Sequence, residues 1–178
     1  PFGASPGVFP IPFSGLIKEP RILIQDKGRD FGFGFYTTTI IEQAERWAKR
    51  TARIKSQAND ANGTAVINVY KLNEEAFKLL DFKDFPNADL EWLDFVIKCR
   101  SNISYRHKYD IVAGKIANDN VGETIDFVVS GIMRKDDAIQ RLRFEKVNDQ
   151  ICFCTEKALK FLNFERSIMV PDNANPRS

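Results

Sequence analysis

Few side chains in this sequence could do chemistry, and the first group of them lies in one short stretch. RDFGFGFYTTT, Arg29 to Thr39, sets two glycines, four aromatic rings and three threonines beside an arginine. Gly32 and Gly34 alternate with Phe31, Phe33 and Phe35, so a strand over 32–37 is bulky on one side and bare on the other. Bare backbone admits close approach by a ligand or by another strand. Tyr36 adds a ring tipped with a hydroxyl. Thr37, Thr38 and Thr39 supply hydroxyls ahead of a helix N-terminus, where negative charge is favoured. Such a surface suits a flat ring joined to ribose and phosphate, with Arg29 as a phosphate partner. The same residues also read as a core strand with a bulge leading to a capped helix. They do not form the dinucleotide-binding GxGxxG pattern, because the third glycine is missing.

The thiols and the single imidazole are the other reactive groups. Cys99, Cys152 and Cys154 are odd in number and contain no CxxC pair. On a strand, Cys152 and Cys154 would share a face about 7 Å apart, too far to bridge comfortably. Reduced thiols and a cytoplasmic setting are expected. His107 has no spaced cysteine pair to join, so no metal is expected. Its polar surroundings, SYRHKYD, predict a solvated loop position, and any hydrolase triad would have to rest on this one histidine.

These groups need elements to hold them. With 178 residues, 43% hydrophobic and 12% aromatic, the chain can bury a core as one domain over 1–166, followed by a flexible tail over 167–178. A formal charge of +2 does not by itself argue for nucleic acid or an acidic membrane, and no apolar run is long enough to span a bilayer. The apolar start, PFGASPGVFPIPFSG, is broken by prolines and lacks the basic opening of a signal peptide. Without an initial methionine, Pro1 is not expected to be the natural start; the chain would be processed, trimmed or the C-terminal domain of something longer.

Alternating or β-branched runs predict strands over 21–24, 32–37, 64–72, 109–113 and 150–154. Thr39 with Glu42 reads as a capping box for a helix through about Lys55, with Ile41, Ala44 and Ala48 inward. On it, Arg46, Arg50 and Arg53 share a face, read as solvated or as a contact for nucleic acid or an acidic target. Asn87 is expected to cap a helix whose Trp92, Phe95, Val96 and Cys99 form an apolar stripe; these residues and Trp47 read as core. Asn120 with Glu123 predicts another cap, leading Val121, Ile125, Val128 and Val129 into the core. Shorter helices are expected over 136–144 and 155–162. The mixture predicts an α+β fold.

The segments DFGFGFYTTTIIEQAERWA, VINVYKL, WLDFVIKCR, YDIVAGKIANDN and QICFCTEKALKFLNF occur in an order that resembles an uncharacterised bacterial family, domain of unknown function 3990, placed in the ADP-ribosyltransferase superfamily. The likeness runs from about Lys18 to Phe164. It implies an ADP-ribosyltransferase-like split β-sheet with surrounding helices, and NAD held between two small sheets. In that superfamily, catalytic positions commonly read His or Arg, then Tyr or Ser, then Glu. Tyr36 matches the second position, where the resemblance implies that its ring stacks on nicotinamide. Gln150 matches the third. At the first, the nearest segment is FGAS, Phe2 to Ser5, with Gly3 where histidine would stand. The implied cofactor-binding set is Arg29, Gly32, Gly34, Phe35, Tyr36, Thr37, Thr38 and, from the acidic turn, Asp119.

The departure at Gln150 has a physical weight. Transfer of ADP-ribose passes through a cation-like ribose, which a carboxylate both holds and stabilises. Glutamine keeps the hydrogen bond and drops the charge. A charge pair of that kind is worth roughly 4 kcal/mol, about a thousandfold in rate. Asp149, Glu156 or Asp119 could contribute instead, the acceptor could need little deprotonation, or the residue could have been altered. Two function classes follow. One is an NAD-dependent ADP-ribosyltransferase, a toxin or phage-defence effector acting on protein, RNA or DNA, checked by a cognate antitoxin and delivered into a target cell if part of a larger toxin. The other is a degenerate member that binds a nucleotide or a partner without catalysis.

Overall fold

The structure, a computed structural model, describes residues 8–13, 16–22, 24, 29–57, 64–116, 119–142 and 148–171. In chain order the elements are β1 (Val8–Phe13), β2 (Phe35–Thr37), α1 (Ile41–Gln57), β3 (Val66–Leu72), α2 (Ala76–Leu79), β4 (Phe82–Phe85), α3 (Leu90–Ser101), β5 (Ile111–Ile116), α4 (Asp119–Val129), α5 (Lys135–Leu142), β6 (Asn148–Phe153), α6 (Glu156–Leu159) and β7 (Leu162–Met169). The fold is α+β. Among the described residues the strands form two sheets, ordered β1-β3-β7 and β2-β6-β5-β4. The chain divides into two compact units, the first made of 1–20, 37–73 and 162–178, the second of 21–36 and 74–161.

The first unit is an antiparallel sheet with β3 at its centre, paired to β1 from Val8↔Lys71 to Phe13↔Val66 and to β7 from Leu72↔Leu162 to Val66↔Met169. Pro10 and Pro12 lie in β1, an edge strand, the one kind of strand where a missing N–H is tolerated. Helix α1 presents Ala44, Ala48 and Ala52 to Ile67 and Val69 of β3, and the short side chains let helix and sheet approach closely. Asn68 and Tyr70, both buried in β3, are satisfied through one segment: Asn68 Oδ1 accepts from Ile17 N at 3.1 Å, and the Tyr70 hydroxyl donates to Ile17 O.

The second unit has a heavier core, in which Trp92, Leu93, Phe95 and Val96 of α3 pack with Phe85, Val112 and Cys152 of the sheet and with Ile125, Ile139 and Leu142 of α4 and α5. Strands β4 and β5 run parallel, while β5 and β6 run antiparallel with Gly114 opposite Gln150. Asp110 fixes the start of β5. Its carboxylate accepts from Asp81 N at 3.1 Å, Thr155 Oγ1 at 2.7 Å and Lys157 Nζ at 3.3 Å.

Several expectations shift. Residues 21, 22 and 24 are not in a strand. Of the strand expected over 32–37, Gly34 makes an isolated bridge and only Phe35–Thr37 form β2. Helix α1 starts at Ile41, and Thr38 Oγ1 accepts from Ile40 N at 3.1 Å. The cap of α3 is Asp89 rather than Asn87, its side chain accepting from Trp92 N at 3.0 Å. The stripe Trp92, Phe95, Val96 and Cys99 is buried as expected, and so is Ile125, but Val129 is 48% exposed. Residues 167–169, expected in a tail, continue β7, and Val170 is buried with its N–H on Ala65 O at 2.9 Å.

Candidate active site

The aromatic and glycine stretch folds as a turn followed by a short strand. Gly32 N donates to Arg29 O at 3.0 Å, and Gly32 adopts φ +79°, a left-handed conformation that costs any residue with a Cβ. Asp30, almost fully buried, ties the turn to the end of α3 through Arg100, whose Nε lies 2.6 Å from Asp30 Oδ1. Phe31 fills the core below, its ring 6.3 Å from that of Phe85 and 6.4 Å from that of Phe95. Tyr36 closes the loop from above. Its hydroxyl donates to Gly32 O at 2.5 Å and accepts from Phe31 N at 3.1 Å, while the Arg29 guanidinium sits 5.3 Å over its ring. Burial, together with the neighbouring Cys152 and Asp30, holds the Tyr36 phenol well above its ordinary value, so it stays a neutral donor.

Gly34 has a different reason to be glycine. A Cβ there would collide with Cys152 Sγ and come within 2.7 Å of Phe153 O. The bare position therefore receives a thiol of the neighbouring strand. The close approach inferred for bare backbone is by another strand.

That thiol belongs to a cluster that sequence spacing concealed. Cys152 and Cys154 are expected about 7 Å apart along a strand, yet their sulfurs lie 3.4 Å apart. β6 ends at Phe153, yet Cys154 N–H still bonds to Asp110 O at 2.8 Å in the register of Ile111↔Phe153, so the close approach is made by the side chains. His107 is not a solvated loop residue either. It is half-buried among the rings of Phe95, Tyr105 and Tyr109, with centroids 5.1, 6.4 and 5.7 Å away. Nε2 lies 3.0 Å from Phe31 O and must donate to it, while Nδ1 accepts from Tyr109 N at 3.2 Å. The polar SYRHKYD stretch misleads because its tyrosines turn inward and roof the imidazole.

The electrostatics of the thiols diverge. A hydrogen bond from Cys152 lowers Cys154 to about 6, against its own burial and with help from His107. Burial pushes Cys152 well up, and Cys99 up to about 12. Burial also pulls the His107 imidazole down, but its hydrogen bond and charge interaction with Cys154, joined by the Phe31 carbonyl, outweigh that and leave it raised. The outcome is a thiol lowered from its ordinary range beside an imidazole that is raised from its own. Both line a cavity of about 140 Å³ with Gly32, Phe33, Arg106 and Thr155. Arg106 covers the Phe33 ring at 4.3 Å. Chemically, this is a nucleophile favoured in its ionised form in a partly apolar recess. Only two sequence features could have pointed to it: the sole histidine set between tyrosines, and a CxC at a strand end.

The remaining site residues fall as follows. Arg29, Gly32 and Tyr36 come together at the turn. Phe35 is buried, as are Thr37 and Thr38. Gln150 lies in β6, which neighbours β2 in the sheet, and is 8% exposed. Asp119 opens α4, but its side chain and the whole of Gly3 fall outside the described residues. On α1, Arg46, Arg50 and Arg53 are exposed. Among the described residues no group of three or more His, Cys, Asp or Glu could hold a metal ion, and no helix is long and apolar enough to cross a membrane.

A family model described as a protein of unknown function, DUF3990, matches residues 14–164. The chain belongs to this family. No curated protein and no solved structure matches it significantly. The DUF3990 segment contains the Arg29–Gly32 turn, Tyr36, His107, Gln150 and both clustered cysteines.

Proposed function

We propose that this protein is an NAD-dependent ADP-ribosyltransferase, a bacterial toxin or phage-defence effector that modifies a protein or nucleic acid and is restrained by a cognate antitoxin. The observation that supports this most is the Tyr36 ring with the Arg29 guanidinium over its face. A ring face that accepts one cation suits another, and the nicotinamide ring of NAD is cationic. Arg29 is exposed, as a partner for the diphosphate would need to be. When bound, NAD supplies the ADP-ribosyl group. Tyr36, pinned by two hydrogen bonds to the 29–32 turn, orients the nicotinamide end. Gln150 offers a ribose hydroxyl an acceptor without a charge.

A second reading, a nucleotide- or partner-binding module without catalysis, is favoured by one observation: the amide at position 150 is 8% exposed and carries no charge to stabilise a cation-like ribose. Calorimetric titration with NAD and measurement of nicotinamide release, on the natural chain and on Gln150→Glu, separate the two. A transferase gives binding heat, basal release and a rise in release with the restored carboxylate. Heat without release in either protein selects the binding module, and no heat at millimolar NAD defeats the transferase and leaves only the partner-binding form of the second reading. Labelled NAD incubated with a cell lysate, followed by nuclease or protease digestion, then identifies the acceptor class.

A further inference from the structure

We propose that Cys154 is a peroxide-reactive thiol in the wall of the 140 Å³ cavity, and that Cys152 resolves its oxidised form as an intramolecular disulfide. Four observations carry this, none of which depends on NAD. Cys154 lines a recess that a small peroxide can enter, together with His107. The two sulfurs already sit 3.4 Å apart, so reaching a disulfide length of about 2.05 Å needs a shift of only about 1.4 Å. Cys154 lies one residue past the end of β6 with its N–H held by Asp110 O at 2.8 Å, so the shift falls to the side chains while the backbone stays in place. Cys99, the third thiol, is buried at 3% exposure and does not line the cavity.

The two sulfurs are also unequal in the way such a pair requires. The hydrogen bond from Cys152 and the neighbouring His107 lower Cys154 to about 6 against its burial, which favours its thiolate, whereas burial pushes Cys152 well up. The titratable groups that face Cys154 are Cys152 from β6, His107 and Tyr109 from the segment before β5, Tyr36 from β2 and Cys99 from α3. The charged groups nearby are Arg106 at the cavity wall, Asp30 in the turn and the Asp110–Lys157 pair, whose Asp110 backbone carbonyl holds Cys154 N–H. Of these, His107 is the partner that favours the thiolate by charge.

The chemistry balances in two steps. The Cys154 thiolate attacks one oxygen of hydrogen peroxide; an S–O bond forms, the O–O bond breaks, and the departing hydroxide takes a proton from solvent to leave as water. The Cys152 sulfur then attacks the sulfenic sulfur; an S–S bond forms, the S–O bond breaks, and the oxygen leaves as a second water with the sulfenic and thiol protons. Two thiols are oxidised and one peroxide is reduced to two waters. Because Cys152 Sγ fills the space left by Gly34 and contacts the Tyr36 hydroxyl, its movement is transmitted to β2.

The experiment uses the reduced full chain, hydrogen peroxide as the probe, and peptide mapping with intact mass as the readout. The expected result is the loss of two thiols per chain to a Cys152–Cys154 bond, with Cys99 still alkylatable. Cys152→Ser should stop at a sulfenic acid on Cys154 that dimedone traps. The rate should follow a group ionising near 6, and His107→Gln should slow it by about tenfold or more at that pH as the thiol moves back towards its ordinary range. Oxidation of Cys99 before Cys154, disulfides only between chains, or a Cys154 no faster than glutathione between pH 5 and 8 would each overturn the proposal. Mapping of the natural chain keeps it open to refutation even if the variants fail to fold.

Discussion

In one unit α1 meets β3 through Ala44, Ala48 and Ala52, whereas in the other α3 meets its sheet through Trp92, Leu93, Phe95 and Val96. The buried cluster at the alanine interface is made of small and aliphatic side chains among the described residues. The aromatic interface is bulkier and less regular, and into its margins are set Asp30, Tyr36, His107 and three thiols, each with a partner. Large rings leave recesses at their edges, and recesses are where a polar group can be half-buried and have its ionisation shifted. The contrast explains why the reactive side chains collect in the second unit.

Substitutions can sharpen or break this contrast. The largest effect is expected for Trp92→Ala, which empties the centre of the aromatic core and should cost about 4 kcal/mol in urea unfolding. A loss below 1 kcal/mol would mean that the rings are not the main support of the second unit. Next comes Arg100→Ala, which removes the charged partner of the mostly buried Asp30 carboxylate and should cost about 3 kcal/mol, with the 29–32 turn losing hydrogen-exchange protection before the sheet does. In the alanine interface the opposite change is the informative one. Ala48→Leu should cost about 2 kcal/mol by overpacking; a neutral result would show that α1 rests loosely on its sheet. The smallest effect is pH-dependent. Burial raises the Asp110 carboxyl, but the bonds from Thr155, Asp81 and Lys157 outweigh that and leave it lowered. A lowered carboxyl contributes stability that is present above its unfolded value near 3.9 and lost as pH falls through the folded one. Urea midpoints measured downward from pH 5 should therefore fall more steeply in the natural chain than in Asp110→Asn.

Legibility in the sequence followed the same divide between regular and irregular packing. The stripe of α3 was readable because helical period and burial coincide there, and β3 because VINVYKL is rich in β-branched and aromatic residues. β1 was hidden by its two prolines, β4 by being four residues long, and β7 by the exposed polar residues of NFERS. The turn at Gly32 was misread as strand because alternation of glycine and phenylalanine imitates period two, while its left-handed φ leaves no mark in the spacing. Arg29, Gly32 and Tyr36 were picked out as neighbours because they are close in sequence. His107 and Cys154 were not, since 47 residues separate them and only the ring cluster and the end of β6 bring them together.

The prolines of β1 carry a last consequence. Spaced two apart, Pro10 and Pro12 have their backbone nitrogens on one side of the strand, and a ladder to β3 made through the donors of Phe9, Ile11 and Phe13 leaves the open side short of two amide donors. A strand from another molecule could not dock there with a full hydrogen-bond ladder, so this sheet is closed to polymerisation along one border. Growth from its other border, β7, would have to displace the exposed charges of Glu165 and Arg166. Replacing both prolines with valine would turn a protected rim into a template, and the first sign of it would be fibre formation at high concentration rather than any loss of folding.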